Sequence, residues 1–321
     1  MGVPALDASA VIEPIRQLAA PGARGTLAVI TRIDGPSYRP LGAMMAVTED
    51  AQRIGTLSSG CVEADIAVHA AKALAAGAPF SVIYGKGSPF ADITLPCGGG
   101  LEIMLVPNPD KTVLAQALAH HEARQEVALE IDARSGEVVA VPGGRTGWTG
   151  DVFTVQIEPE LLFYVFGKGP EAATFAGMVQ AAGFPNLVLS PDDETLEAVA
   201  DAGCATRHMT SPHWPEDLAP DSRSAVVLFF HDHEWEPPIL AGALRSDAFY
   251  VGAQGSMRAA ELRRHELVLE GLSDAELARL RGPIGLIPSV RDARKLAVSV
   301  LAEVLSLKVP HQAPNAGFNA P

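Results

Sequence analysis

At 321 residues the chain is long enough for two domains that each bury a core, and 48% apolar against 19% charged residues excludes a disordered chain. A formal net charge of −14 excludes nucleic acid and anionic membrane as partners, since both require a basic footprint. An anionic ligand must therefore be held locally, by helix N-termini and a few Arg or Lys.

The first apolar pattern, Val11, Ile12, Ile15 and Leu18 within 6–20, has helical spacing, and Pro14 delays or bends its start. A strand over 26–31, a turn-rich loop over 34–42 and a hairpin of 43–48 with 53–57 follow. The hairpin ends at Ser58-Ser59-Gly60-Cys61, ahead of an alanine-rich helix over 62–74 with Glu63 and Asp65 in its first turn. Cys61 thus stands at or beside a helix N-terminus, where the macrodipole favours thiolate. After a strand over 80–84 and a loop over 85–89, Pro96-Cys97-Gly98-Gly99-Gly100 leads into a strand over 101–106. Three successive glycines suit a ligand pressed against main chain. A helix over 111–126, a hairpin over 127–141 turning at Ser135-Gly136, a surface loop over 142–147 and a lead-in over 151–159 complete this half. His120 and His121 read as surface residues.

Three cysteines are too few for a disulfide framework. Cys61 and Cys97 therefore read either as sharing ligand chemistry or as small buried hydrophobes, and Cys204 as core. Neither has the second pair or the nearby His of a zinc site. No run reaches membrane-spanning length and the N-terminus lacks signal-peptide features, so a cytoplasmic location is expected.

From Leu161 the pattern becomes strand and helix in alternation, as in a parallel sheet. The run Leu161-Leu162-Phe163-Tyr164-Val165-Phe166 breaks into Gly167-Lys168-Gly169-Pro170-Glu171-Ala172, read as a buried strand turning onto a helix N-terminus. Gly167 and Gly169 fit a phosphate-holding turn, with a tight structural turn as the alternative. The ribose-binding acid of a dinucleotide fold is not at the expected place, Leu189 or Ser190, although Asp192 and Asp193 follow. Helices are expected over 171–182, 193–202, 257–270, 273–280 and 290–307, and strands over 187–190, 205–208, 224–230, 248–254 and 284–287. His231-Asp232-His233-Glu234 closes the 224–230 strand at the sheet's carboxyl edge, where His231 and His233 bind metal, relay protons or form a solvated corner. Arg263-Arg264-His265 reads as a solvated helix face. The fold class is therefore α/β, a C-terminal Rossmann-like parallel sheet domain (156–310) behind a smaller α+β domain (1–155), with 311–321 a frayed tail.

Three motifs of the first half, Arg39-Pro40-Leu41-Gly42-Ala43, Ser59-Gly60-Cys61-Val62-Glu63 and Pro96-Cys97-Gly98-Gly99-Gly100, resemble the N-terminal domain of the XdhC/CoxI family, the xanthine dehydrogenase accessory proteins. The second half is similar to that family's Rossmann domain through Val165-Phe166-Gly167-Lys168-Gly169, the 226–233 stretch, Tyr250-Val251-Gly252-Ala253-Gln254-Gly255-Ser256 and Pro283-Ile284-Gly285-Leu286. The resemblance implies a chaperone, more an accessory protein than an enzyme, that binds molybdenum cofactor (molybdopterin). It implies support for sulfuration with a cysteine desulfurase and insertion into a xanthine dehydrogenase-type molybdenum hydroxylase. Cys61 and Cys97 would touch the metal or carry sulfur. Gly60, Gly98, Gly99, Gly100, Gly167 and Gly169 would offer backbone to phosphate and pterin, Arg39 and Lys86 local positive charge, and His231 and His233 further contacts. Leu296, Ala297, Val298, Val300 and Leu301 of the last helix suggest a homodimer. The rival is a nucleotide-dependent, NAD(P)-using oxidoreductase with His231 and His233 near the reacting centre.

Overall fold

The computed structural model describes residues 11–58, 60, 62–86, 88, 98–230 and 234–307. Cys61, Cys97, His231, His233 and the expected tail lie outside the described residues. The chain divides into two compact units between Pro159 and Glu160.

In the first unit α1 (Ile12–Ala19) precedes β1 (Gly25–Asp34), β2 (Met44–Thr48) and β3 (Arg53–Gly55), then α2 (Glu63–Ala76), β4 (Phe80–Gly85) and β5 (Gly100–Pro107). After α3 (Lys111–Glu122) come β6 (Val127–Asp132), β7 (Val138–Pro142), β8 (Gly147–Thr149) and β9 (Val152–Ile157). The first five strands form one sheet in the order β3-β2-β1-β5-β4, and the last four another in the order β7-β6-β9-β8. Strands of the larger sheet bury both faces, which explains the near-continuous apolar runs at 27–30 and 43–47. Leu27, Val29, Met44, Ala46 and Met104 pack with α1, α3 and the four-stranded sheet, whose Leu129, Phe153 and Val155 point inward. On the other face Ala28, Ile30, Met45, Ile103 and Leu105 pack under Ile66, Ala70 and Ala73 of α2. The stretch 142–159, expected as loop and lead-in, instead supplies β8 and β9. Trp148 ties this hairpin down by donating Nε1–H to the Thr31 carbonyl at 3.0 Å. His121, expected at the surface, is half-buried, and burial pushes its pKa down.

The second unit runs β10 (Leu162–Gly167), α4 (Pro170–Ala181), β11 (Asn186–Ser190), α5 (Asp193–Asp201), β12 (Ala205–His208), β13 (Ser224–Phe229) and α6 (Glu236–Arg245). It continues with β14 (Tyr250–Ala253), α7 (Met257–Leu269), α8 (Asp274–Leu277), β15 (Leu280–Arg281) and α9 (Ala293–Ser306). The sheet order is β12-β11-β10-β13-β14-β15, every pair parallel. Renumbered within the unit this is 3-2-1-4-5-6, the doubly wound dinucleotide-fold order with its switch point between β10 and β13. Phe175 and Val179 of α4, Val199 of α5 and Val300 and Val304 of α9 cover one face. Ile239, Leu240 and Leu244 of α6 with Leu267 and Leu277 cover the other.

Four expectations fail here. Helix α6 has no counterpart in the sequence reading. The strand placed over 284–287 is irregular chain, because the amides of Gly285 and Ile287 bond to Glu303 Oε2 and Ser299 Oγ of α9 rather than to a strand. Arg263 is 2% exposed rather than solvated. Finally, of the five positions from which a homodimer was drawn, Leu296, Ala297 and Val300 are buried in the unit's own core and Leu301 packs against it, leaving Val298 alone well exposed at 53%, so the set does not form a continuous apolar face.

Candidate functional site

Glu63 sits in the first turn of α2 with only 6% of its surface exposed. Its Oε1 accepts from the backbone N–H of Leu57 (3.0 Å) and Ser58 (2.7 Å) and from the Thr56 hydroxyl. Its Oε2 accepts from the Ser58 hydroxyl (2.6 Å) and the amides of Gly60 (2.9 Å) and Val62 (3.2 Å). Burial alone would raise this carboxyl's pKa, but the donors from Ser58 and Thr56 prevail and hold it down at about 2. The carboxylate therefore latches the chain that enters α2, through Leu57, Ser58, Gly60 and Val62.

The same end of the sheet receives the other motif. Register pairs Gly100 with Asp34 on one side and Gly85 on the other, and the Lys86 N–H donates to the Gly99 carbonyl at 3.2 Å. Tyr84, two residues before Lys86, donates its hydroxyl to Asp65 of α2's first turn at 2.7 Å; burial and that carboxylate push the phenol pKa up. The Glu63 loop, the Gly98-Gly99-Gly100 strand start and the end of β1 are thus tied to one edge region. The three glycines differ in role. A Cβ on Gly99 would stand 2.2 Å from the Pro36 carbonyl oxygen, and one on Gly100 2.5 Å from that of Lys86, so both serve close approach of main chain. Gly60 (φ +104) and Gly98 (φ +71) lie in the left-handed region with open space where a side chain would be. Lys86 is paired with Asp34 at 3.1 Å, while the Nε of Arg39 is buried with no hydrogen-bond partner.

In the second unit, the Gly167 turn is occupied by the protein itself. A Cβ on Gly167 would stand 2.8 Å from Phe229. Gly169 donates its N–H to Thr195 Oγ1 at 2.8 Å, and Thr195 in turn donates to Asp192, the N-cap of α5. Pro170, the first residue of α4, has no N–H, and Glu171 adds negative charge to the same helix end.

The other end of the sheet's carboxyl edge holds a hollow of about 870 Å³, lined by Phe230, by 254–257 and by 283–291. Beneath it Arg263 donates Nε–H to Glu236 Oε2 (2.9 Å) and Nη2–H to Glu236 Oε1 (3.2 Å) and to the Gln254 carbonyl (2.6 Å). Arg263 Nη1 and Gln254 Oε1 are buried and have no partner. A charged donor left so carries a penalty of about 1–3 kcal/mol or more. Among the described residues no group of His, Cys, Asp and Glu is arranged to hold a metal ion.

Residues 163–304 match the XdhC Rossmann domain model and residues 18–85 the XdhC and CoxI family model. The chain is also 35% identical over 292 residues, 91% of its own length and 85% of the relative's, to the molybdenum cofactor insertion chaperone PaoD of Escherichia coli (strain K12). The chain belongs to the XdhC and CoxI family. A second relative of this XdhC/CoxI chain, a probable xanthine dehydrogenase subunit of Bacillus subtilis (strain 168), is 21% identical over 324 residues, 88% of this chain and 92% of the relative. Among solved structures, one titled as a xanthine dehydrogenase from Bacillus halodurans superposes with a TM-score of 0.73 at 21% identity, covering 91% of this chain and 94% of that one. That likeness shows the fold.

Of the residues singled out from sequence in this XdhC/CoxI chain, Gly60, Gly98, Gly99 and Gly100 come to one end of the first sheet, whereas the Gly167 and Gly169 turn is closed by protein contacts; two further groups stand out only in the structure. Glu63 was legible as a first-turn acid and as the end of the Ser59–Glu63 motif, without its role in holding the loop. Arg263, Glu236 and Gln254 carry no spacing signal, since α6 and α7 meet through the fold.

Proposed function

We propose that this chain binds molybdenum cofactor and supports its insertion into a xanthine dehydrogenase-type molybdenum hydroxylase, as an accessory protein rather than a turnover enzyme. The near end-to-end likeness to an insertion chaperone carries the reading. The loop held by Glu63 and the strand start at Gly98, tied to one end of one sheet, support it from geometry.

The cofactor is cargo, and its chemistry belongs to the client enzyme. A molybdenum centre that exchanges oxo for sulfido ligands takes soft donors, which Cys61 and Cys97 provide. Gly60 and Gly98, each with bare main chain beside one of these cysteines, fit a ligand approaching the backbone. Glu63 acts as a positioning residue by fixing the chain on both sides of Cys61. The finer reading adds sulfur supplied by a cysteine desulfurase, in the cytoplasm. No helix among the described residues is long and apolar enough to cross a membrane. The oxidoreductase reading is set aside because Thr195, Pro170 and Glu171 already occupy or remove the donors a dinucleotide phosphate would use at Gly169.

The test is anaerobic purification of the full chain from molybdenum-replete cells, with molybdenum and released pterin measured per chain. The expectation is near-stoichiometric cofactor, falling roughly tenfold or more in Cys61→Ser or Cys97→Ser while the melting temperature holds. Wild-type protein free of both molybdenum and pterin would overturn the proposal.

A further inference from the structure

The chain has four tyrosines and three tryptophans, and all seven lie among the described residues. Tyr84, Tyr164 and Tyr250 are buried and Trp214 and Trp235 half-buried, which leaves Tyr38 and Trp148 exposed, at 59% and 43%. Both belong to the first unit, and the fold brings their segments to the same stretch of β1. Trp148 donates Nε1–H to the Thr31 carbonyl, and the loop behind Tyr38 returns to the neighbouring residue, where the Gly42 N–H donates to the Ile30 carbonyl at 2.9 Å. A Cβ on Gly42 would stand 2.9 Å from Thr146 Cγ2, so this loop is pressed against the residue that precedes β8. Leu41, next to that contact, is 37% exposed.

Neither ring sits on slack chain. Trp148 keeps one edge bonded and packs on Phe153 with ring centroids 5.1 Å apart. Ser37 Oγ accepts the Arg39 N–H at 3.3 Å and donates to the Arg39 carbonyl at 2.7 Å, so a tight turn holds Tyr38. Aromatic side chains already ordered in this way lose little further entropy on association, and Tyr, Trp and Arg are the residue types that dominate protein–protein binding energy. The surrounding charge selects the partner. Arg32 and Lys86 are matched by Glu102 and Asp34, at 3.2 and 3.1 Å. Arg39, beside Tyr38, and Arg145, beside Thr146, have no ion pair among the described residues. In a chain of net charge −14, two unmatched cations around an aromatic pair complement carboxylates on another protein. At its other end the same loop lays the Pro36 carbonyl on Gly99, so this face borders the edge proposed for the cargo.

We infer that this face docks the client: Tyr38, Leu41 and Trp148 enter an apolar recess on the molybdenum hydroxylase, and carboxylates around that recess meet Arg39 and Arg145. The inference rests on the reading of the chain as an insertion accessory protein and adds to it the place where the hydroxylase binds.

Surface plasmon resonance of the full chain against a cofactor-free xanthine dehydrogenase-type hydroxylase from the same organism tests it. Tyr38→Ala weakens binding at least about tenfold. Arg145→Glu weakens it at low salt and less so at high salt, because screening removes the new repulsion. Leu269→Ala, which trims a side chain 76% exposed on α7 of the second unit, leaves it unchanged. No binding by the wild type, affinity unaltered in Tyr38→Ala, an effect of Arg145→Glu that ignores salt, or an equal loss in Leu269→Ala would overturn the inference. So would self-association of the wild type that Tyr38→Ala abolishes, since a second copy would then be the occupant. Molybdenum and pterin per chain are read on the same preparations and stay at the wild-type level in Tyr38→Ala. A cofactor-free wild type whose hydroxylase binding is still lost in Tyr38→Ala sinks the cargo reading alone, whereas a loaded wild type indifferent to both substitutions sinks this one.

Discussion

Ser58 gives Glu63 both of its donors, the backbone N–H at 2.7 Å to Oε1 and the hydroxyl at 2.6 Å to Oε2, so a single residue spans the two oxygens of one buried carboxylate. With the amides of Leu57, Gly60 and Val62 added, the loop before α2 is folded around a charge.

Glu63→Gln is therefore expected to destabilise the chain at neutral pH by about 2–3 kcal/mol, following from a carboxyl held at about 2 against an ordinary 4.5. The folded-state pKa is depressed, so the contribution is complete above about 4.5 and fades as pH falls through that range toward 2. Urea unfolding of both proteins from pH 7 to pH 3 reads the difference. A gap between them that stays constant with pH would contradict the latch.

The Arg263–Glu236 pair makes a separate prediction about stability. Both side chains are nearly sealed, at 2% and 6% exposure, so removing one partner strands the other charge. Arg263→Met or Glu236→Leu alone is expected to cost about 3–5 kcal/mol, and the double variant Arg263→Met/Glu236→Leu to recover most of it. Thermal unfolding of all four proteins gives the coupling. Additive losses would show that the two carboxylate contacts contribute little.

How much of this was legible follows from which forces act locally. The buried strands β10 and β13 announce themselves as apolar runs, and the strand-helix alternation behind them gives the parallel sheet. Helix α6 was hidden because Glu236-Pro237-Pro238 looks like a breaker, although Pro is well suited to the first helical positions. The 284–287 run is apolar without being a strand because Gly285 takes φ +102 and its amide is claimed by Glu303. Arg263 sits in a row of three basic residues, and nothing in that row announces the acid 27 residues earlier that draws it inward. Likewise Glu63 could be read from sequence as a first-turn acid that closes one cysteine motif, whereas its bonds to the amides of Leu57, Ser58 and Gly60 could not.

The glycine triplet separates packing from openness. Gly99→Ala forces a Cβ to within 2.2 Å of the Pro36 carbonyl oxygen and is expected to cost on the order of 3 kcal/mol, because two main chains must part. Gly98→Ala meets nothing within 4 Å and carries only the left-handed backbone penalty, about 1 kcal/mol. Chemical unfolding of the two variants distinguishes them. Equal losses would mean that the contact at Gly99 does not govern this turn.

Thr195 tests the turn at Gly169 from the other side. Its hydroxyl accepts the Gly169 N–H at 2.8 Å and donates to Asp192, whose carboxyl it holds below the usual carboxylate range. Thr195→Val keeps the shape and removes both bonds from a residue only 4% exposed, so a loss of about 1–3 kcal/mol is expected. The same substitution releases the Gly169 N–H, the donor a dinucleotide phosphate would need, while Pro170 still lacks an N–H and Glu171 still repels an anion. NADH fluorescence titrations are accordingly expected to be flat for the wild type and for Thr195→Val. Saturable NADH binding by the wild type would mean that the Thr195 contact yields to phosphate, and would restore the nucleotide-dependent reading of this half of the chain.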